Sequence, residues 1–209
     1  MRRQPGGRPT RRRPTRATLP IVAIIAEGEV TEAQYFTQFH RALRARLAVD
    51  LRNEGRGCDP LTIVREARRL LVANEKNHRR GRGRDFDELW CVFDVDEHET
   101  LDEASVFARD HGVNVAVSNP CFEIWLWWHH GEQTAHIERH GIQRRCREAG
   151  LIRGKELVED FVPAHPQAAR RASEMDRRHS SAGSPLGSNP SSGMPELMSR
   201  LFALALPGK

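Results

Sequence analysis

Two apolar runs, each ending in acids, organise the first half of this chain. Ile21-Val-Ala-Ile-Ile-Ala26 is followed by Glu27-Gly28-Glu29-Val30-Thr31-Glu32, and Leu89-Trp-Cys-Val-Phe93 by Asp94-Val95-Asp96-Glu97. Apolar runs without alternation predict strands covered on both faces. After the first run, Phe36, Phe39, Leu43 and Leu47 recur at spacings of three and four, which predicts a helix capped by Thr31. Residues 49–52 read as a short second strand. Residues 61–76 read as a helix with Ile63, Val64, Ala67, Leu70 and Leu71 on its apolar face. A third strand at 88–93, a helix at 101–111, a fourth strand at 113–118 and a helix at 121–130 follow.

Beyond residue 131 the strand signal ends. Helices are expected at 134–149, 167–179 and 195–206, and the Ser/Gly/Pro-rich stretch 180–193 reads as flexible. Strands alternating with helices predict an α/β fold: a mostly parallel four-stranded sheet flanked by helices, with a helical C-terminal part. The expected division is a disordered basic tail (1–18), a catalytic core (19–131) and a helical extension (132–209).

Charge changes this picture at one place. The chain of 209 residues has a formal net charge of +5, yet its first 18 residues carry seven Arg and no acid. The remainder is therefore slightly acidic. The tail is either an arm that draws phosphates by counterion release or a solubilising extension. The four cysteines, Cys58, Cys91, Cys121 and Cys146, show no metal-ligand or redox spacing, which predicts reduced thiols and a cytoplasmic protein. No apolar run has transmembrane length and no signal-peptide core is present, so no membrane is expected.

The chemistry is expected where the apolar strands end. Ligands of open α/β sheets bind at the C-terminal edge of the strands. Glu27, Asp94 and Asp96 would meet there as hard oxygen donors suited to Mg²⁺ or Mn²⁺. Helix caps and solvated turns are the plainer use of such acids. Gly28 allows a tight turn and a close backbone approach, and Glu29 and Glu32 are either site residues or complements to a helix dipole. Glu123 follows the fourth strand at a helix start. Asn119 either bonds a phosphate, holds Glu123, or makes an Asx-Pro turn. The loop 76–84, with Arg79, Arg80, Arg82 and Arg84, is a candidate grip on a nucleic-acid backbone or an exposed loop. Trp125 and Trp128 read as core more readily than as base-stacking platforms. His136 and His140 are a weak zinc pair without further ligands, and His98 is a lesser catalytic candidate.

Three ordered motifs carry a resemblance. Ile-Ala-Glu27-Gly28-Glu29-Val-Thr31-Glu32, Val-Phe93-Asp94-Val-Asp96-Glu97 and Ser118-Asn119-Pro120-Cys121-Phe122-Glu123 resemble the RloB family, and Asn189-Pro190-Ser191-Ser192-Gly193 resembles its C-terminal end. The resemblance implies a Toprim-like fold similar to the nuclease halves of OLD-type anti-phage systems. It implies a metal-dependent nuclease acting on RNA or DNA, within a prokaryotic defence or abortive-infection system. Glu27 would be the acid/base, with Asp94, Asp96 and Glu123 around Mg²⁺ or Mn²⁺; Gly28, Glu32 and Asn119 would form the rim. No Walker A pattern is present, so an ATP-driven step would need a separate ATPase subunit. Homo-oligomerisation stays open. The alternative is a non-catalytic module that binds nucleic acid or an ATPase partner.

Overall fold

The computed structural model describes residues 19–52, 58–95, 100–185 and 187–206. The basic tail, Asp96 and His98 lie outside the described residues.

Strand β1 (Ile21–Ala26) serves two cores at once. Val22, Ile24 and Ala26 join one, Ala23 and Ile25 the other, which is why no polar alternation is visible in its sequence. Helix α1 (Thr31–Leu43) lays Tyr35, Phe36 and Phe39 into the first core. Strand β2 (Ala48–Arg52) pairs parallel on one side of β1. Helix α2 (Pro60–Arg79) starts at Asp59, whose Oδ1 accepts from the N–H groups of Leu61 and Thr62, and it covers the second core. Strand β3 (Glu88–Asp94) pairs parallel on the other side of β1. Helix α3 (Leu101–His111) adds Ala104 and Ala108 to the second core, and strand β4 (Asn114–Asn119) pairs parallel with β3.

The strand order explains where a ligand can enter. The chain moves from β1 out to β2, then returns past β1 to β3 and β4. Right-handed crossovers running in opposite directions place α1 on one face and α2 and α3 on the other. The crevice between the C-terminal ends of β1 and β3 is the point where the winding reverses.

The remaining elements close the first face. They are α4 (Glu123–His130), α5 (Arg139–Glu148), a hairpin of β5 (Ile152–Arg153) and β6 (Glu156–Leu157), α6 (His165–Ser181), β7 (Ser191–Ser192) and α7 (Met194–Ala205). Trp125, Trp128, Ile142, Cys146, Phe161, Ala172, Met194 and Leu201 share one core with β1 and β3. The C-terminal helices are thus structurally continuous with the sheet.

Three sequence expectations are corrected. The main sheet has five strands, because β7 pairs antiparallel with β4 through Ser118↔Ser192 and Asn119↔Ser191. A two-residue strand shows no period, and its Ser/Gly/Pro surroundings look like a linker. Gly193 accounts for the tight join: a Cβ there would lie 2.8 Å from the Ala116 Cα. The helix expected at 134–149 begins at Arg139. Thr31 is the first residue of α1 rather than its cap, and its hydroxyl donates to the Lys155 carbonyl at 2.7 Å.

Candidate active site

Parallel pairing brings the two acidic strand ends together. Glu27 is one residue past β1, and its N–H still donates to the Val92 carbonyl at 3.0 Å. This ladder step sets Glu27 beside Asp94, whose N–H donates to Glu27 Oε2 at 3.5 Å. Asp94 is the last residue of β3, paired in register with Ser118 of β4, and is only 7% exposed. Glu123 opens α4 just past the C-terminal end of β4.

Glu32 completes the group from the first turn of α1, where it is 7% exposed. Its carboxyl folds back over the turn at Gly28. A Cβ on Gly28 would lie 1.9 Å from Glu32 Oε2. Gly28 lacks a positive φ. Its value here is room for a neighbouring carboxyl.

Two side chains of α5 meet this acidic group. Arg139 Nη2 stands 3.2 Å from Asp94 Oδ2. One turn later, Gln143 Nε2 donates to Glu123 Oε1 at 3.2 Å. These positions are i and i+4 on one helix face, so α5 touches both acids at once. Sequence reasoning missed both residues. Ile142 and Cys146 are the buried residues of this helix, and only tertiary docking shows which acids lie beside them.

Burial and mutual repulsion dominate the electrostatics. Glu32 is pushed from the usual 4.5 to about 7, first by burial and then by Glu123 and Glu27, with Lys155 opposing. Asp94 is raised well above the usual carboxylate range by burial, Glu32, Glu123 and Glu27. Arg139 pulls the other way but is one guanidinium against desolvation and three carboxyls. The crevice is therefore short of positive charge.

That deficit and an all-oxygen donor set fit a hard divalent cation in chemistry. Among the described residues, however, no three or more His, Cys, Asp or Glu side chains are gathered closely enough to hold a metal ion. Asp96, expected to share the ion, lies outside the described residues.

A family model described as RloB-like protein matches residues 22–201. The chain belongs to the RloB-like family. The match runs from β1 into α7, so the C-terminal helices and Arg139 are part of the RloB-like unit. No curated protein and no solved structure matches the chain.

Other candidate residues of this RloB-like chain stand apart from the cluster. Arg80, Arg82 and Arg84 lie between α2 and β3, and Arg79 ends α2. They sit at the N-terminal edge of the sheet, opposite the acids. The seven residues of β3 separate the two edges by roughly 20 Å. Asn119 is engaged elsewhere: its Nδ2 donates to the Gly187 carbonyl at 2.8 Å and its Oδ1 accepts from Asn189 Nδ2 at 3.2 Å. Trp125 and Trp128 are buried in the core. His136 is 3.7 Å from Glu138 rather than in a ligand group with His140. The four cysteines are free thiols, and burial pushes Cys146 up to about 12. An open hollow of about 560 Å³ at Glu174, Arg177, Arg178 and Ser181 involves none of the cluster residues. Among the described residues no helix is long and apolar enough to cross a membrane.

Proposed function

We propose that this chain is a Toprim-like, metal-dependent nuclease that hydrolyses phosphodiester bonds of RNA or DNA. One observation carries the reading: Glu27 just past β1, Glu32 in the first turn of α1, Asp94 at the end of β3 and Glu123 at the start of α4 interact at the topological switch point of a parallel sheet. Asp94, Glu123 and Asp96 would hold Mg²⁺ or Mn²⁺. When bound, such an ion neutralises phosphate charge and lowers the pKa of a coordinated water. Glu27 is then the carboxylate to accept a proton from the attacking water. Gly28 keeps the turn open for Glu32, and Gln143 fixes Glu123.

The motif resemblance supports placement in a prokaryotic anti-phage system, with any ATP-driven step supplied by a partner subunit. In-cell nucleic-acid profiling after induction tests both parts. The intact chain should produce new RNA or DNA ends and slow growth, and Asp94→Ala should do neither. Equal toxicity from the two would overturn the reading.

A second reading is a non-catalytic binding module of the same fold. The Arg139–Asp94 pair favours it, since a resident cation on Asp94 is what a metal-free site would retain. Cation-dependent turnover separates the two.

A further inference from the structure

Asn189 lies about fifty residues beyond the loop it holds. Its Oδ1 accepts from the Ile137 N–H at 3.0 Å, and its Nδ2 donates to the Ile137 carbonyl at 3.0 Å and to Asn119 Oδ1 at 3.2 Å. One side chain thus satisfies both backbone groups of Ile137, two residues before Arg139. It also ties this loop to the residue that ends β4. The Asn189 segment is itself anchored. Ser191 and Ser192 form β7 on β4, Ser192 Oγ bonds Ser118 Oγ at 2.9 Å, and the Gly193 N–H donates to the Val117 carbonyl at 2.8 Å. The tripeptide Ser-Asn-Pro occurs twice, at 118–120 and 188–190, and the two asparagines are hydrogen-bonded to each other.

The end product of this scaffold is one guanidinium. The Arg139 side chain is 36% exposed, while the Asp94 side chain it touches is 10% exposed. Arg139 therefore reaches from a buried acid to solvent. A planar guanidinium offers a donor fork matched to phosphate oxygens, which a point cation does not. The basic loop 79–84 cannot fill this role from the opposite sheet edge. Arg139 opens α5, and the bonds from Asn189 to Ile137 fix the chain two residues before it.

We propose that Arg139 is a catalytic residue that binds the scissile phosphate of a phosphodiester substrate, and that Asn189 is its positioning residue. The inference rests on the nuclease reading for its catalytic part. Its binding part stands on its own. With a phosphodiester in the crevice, the Nη2–H that now points at Asp94 has a phosphate oxygen as its alternative acceptor.

The test uses the full chain and four variants: Arg139→Ala, Arg139→Lys, Asn189→Ala and the double variant Arg139→Ala/Asn189→Ala. Three readouts are taken. Mn²⁺ binding is followed by electron paramagnetic resonance. Binding of short fluorescent RNA and DNA strands is followed by anisotropy in Ca²⁺. Turnover is measured at saturating Mn²⁺. Arg139→Ala should bind Mn²⁺ as well as or better than the parent, because a competing cation is gone. It should bind oligonucleotide about tenfold more weakly and lose about 100-fold in kcat. Arg139→Lys should fall between and keep most binding. Asn189→Ala should lower kcat about tenfold, and the double variant should be within about twofold of Arg139→Ala alone, because both act through one group.

Arg139→Ala that keeps parental oligonucleotide binding and kcat once Mn²⁺ restores its melting temperature would show only a structural counter-ion, and would overturn the proposal. Losses that multiply in the double variant would overturn the role of Asn189. Should Arg139→Ala fail to fold, Arg139→Lys decides: unchanged kcat and affinity remove the need for the fork. An intact chain that cleaves nothing refutes the nuclease reading, while the anisotropy arm still decides the phosphate contact.

Discussion

Gly28 shows how a single hydrogen atom can shape a charged site. The Glu32 carboxyl occupies the space a Cβ would need, at 1.9 Å from its ideal position. In Gly28→Ala the movable end of Glu32 must swing away, because the three atoms nearest the new Cβ all belong to its carboxyl. Stability should change by less than about 1 kcal/mol, while kcat falls at least tenfold. Thermal melting and turnover on the same preparation check this. Two buried groups also set opposite pH dependences. Glu32 keeps its proton up to about pH 7 in the folded chain, against the usual 4.5. Its contribution to stability is full below the lower value and fades as pH rises through 7. His129 is buried against Trp125 and Tyr35 and is lowered by that burial from the usual 6.5 to about 4. Its contribution is full above 6.5 and fades as pH falls through 4. Each shift corresponds to up to ~3 kcal/mol across its window. Chemical denaturation of Glu32→Gln against the parent between pH 5 and 8 should show the variant gaining relative stability as pH rises. His129→Gln between pH 7 and 4.5 should gain relative stability as pH falls. A parallel pair of curves in either comparison contradicts the assignment.

At the scale of elements, strongly patterned segments were legible and short or unpatterned ones were not. The run Ile21–Ala26 forms a strand with the bounds expected, and Leu101–His111 forms the helix expected, because burial on both faces or one stripe dictates each pattern. Glu27 and Asp94 could be matched as strand-end acids for the same reason: helices alternating with strands make β1, β2 and β3 parallel. β5, β6 and β7 each have two residues and owe their existence to partners distant in sequence. Arg139 and Gln143 were hidden for a related reason. A polar residue beside an apolar stripe looks solvated until its neighbour is known. The position of Arg80, Arg82 and Arg84 relative to the acids was not legible from their adjacency to β3, since a strand has two ends and only the far one carries Asp94. Reversing charge at Arg80, Arg82 and Arg84 should therefore alter kcat by less than about threefold, because screening over roughly 20 Å leaves little field at the acids. A steady-state comparison at physiological salt checks this, and a tenfold loss of kcat would tie the loop to the site.

At the scale of the whole molecule, the sheet and the C-terminal helices share one core, and the proposed site lies beside it. α4 to α7 bury Trp125, Trp128, Ile142, Phe161, Leu197 and Leu201 against the same face that receives Val22, Ile24 and Val92. Each such side chain contributes on the order of 2 kcal/mol when buried. Ending the chain at residue 131 removes Ile142, Phe161, Leu197 and Leu201 at once, about 8 kcal/mol, which is comparable with the 5–15 kcal/mol that typically holds a domain together. That truncation should yield no folded core by circular dichroism and proteolysis. A stable fragment would instead establish 19–131 as an autonomous domain. The central claim is that the acidic crevice performs cation-dependent phosphodiester hydrolysis. It is tested most directly by cleavage of RNA and DNA substrates during a Mn²⁺ titration, with the parent and Asp94→Asn measured alongside their melting curves. The expected result is saturable, EDTA-reversible cleavage by the parent and a loss of at least 100-fold in Asp94→Asn at equal or higher melting temperature. Cleavage by Asp94→Asn at the parental rate, or cleavage by the parent that ignores the cation, would contradict it.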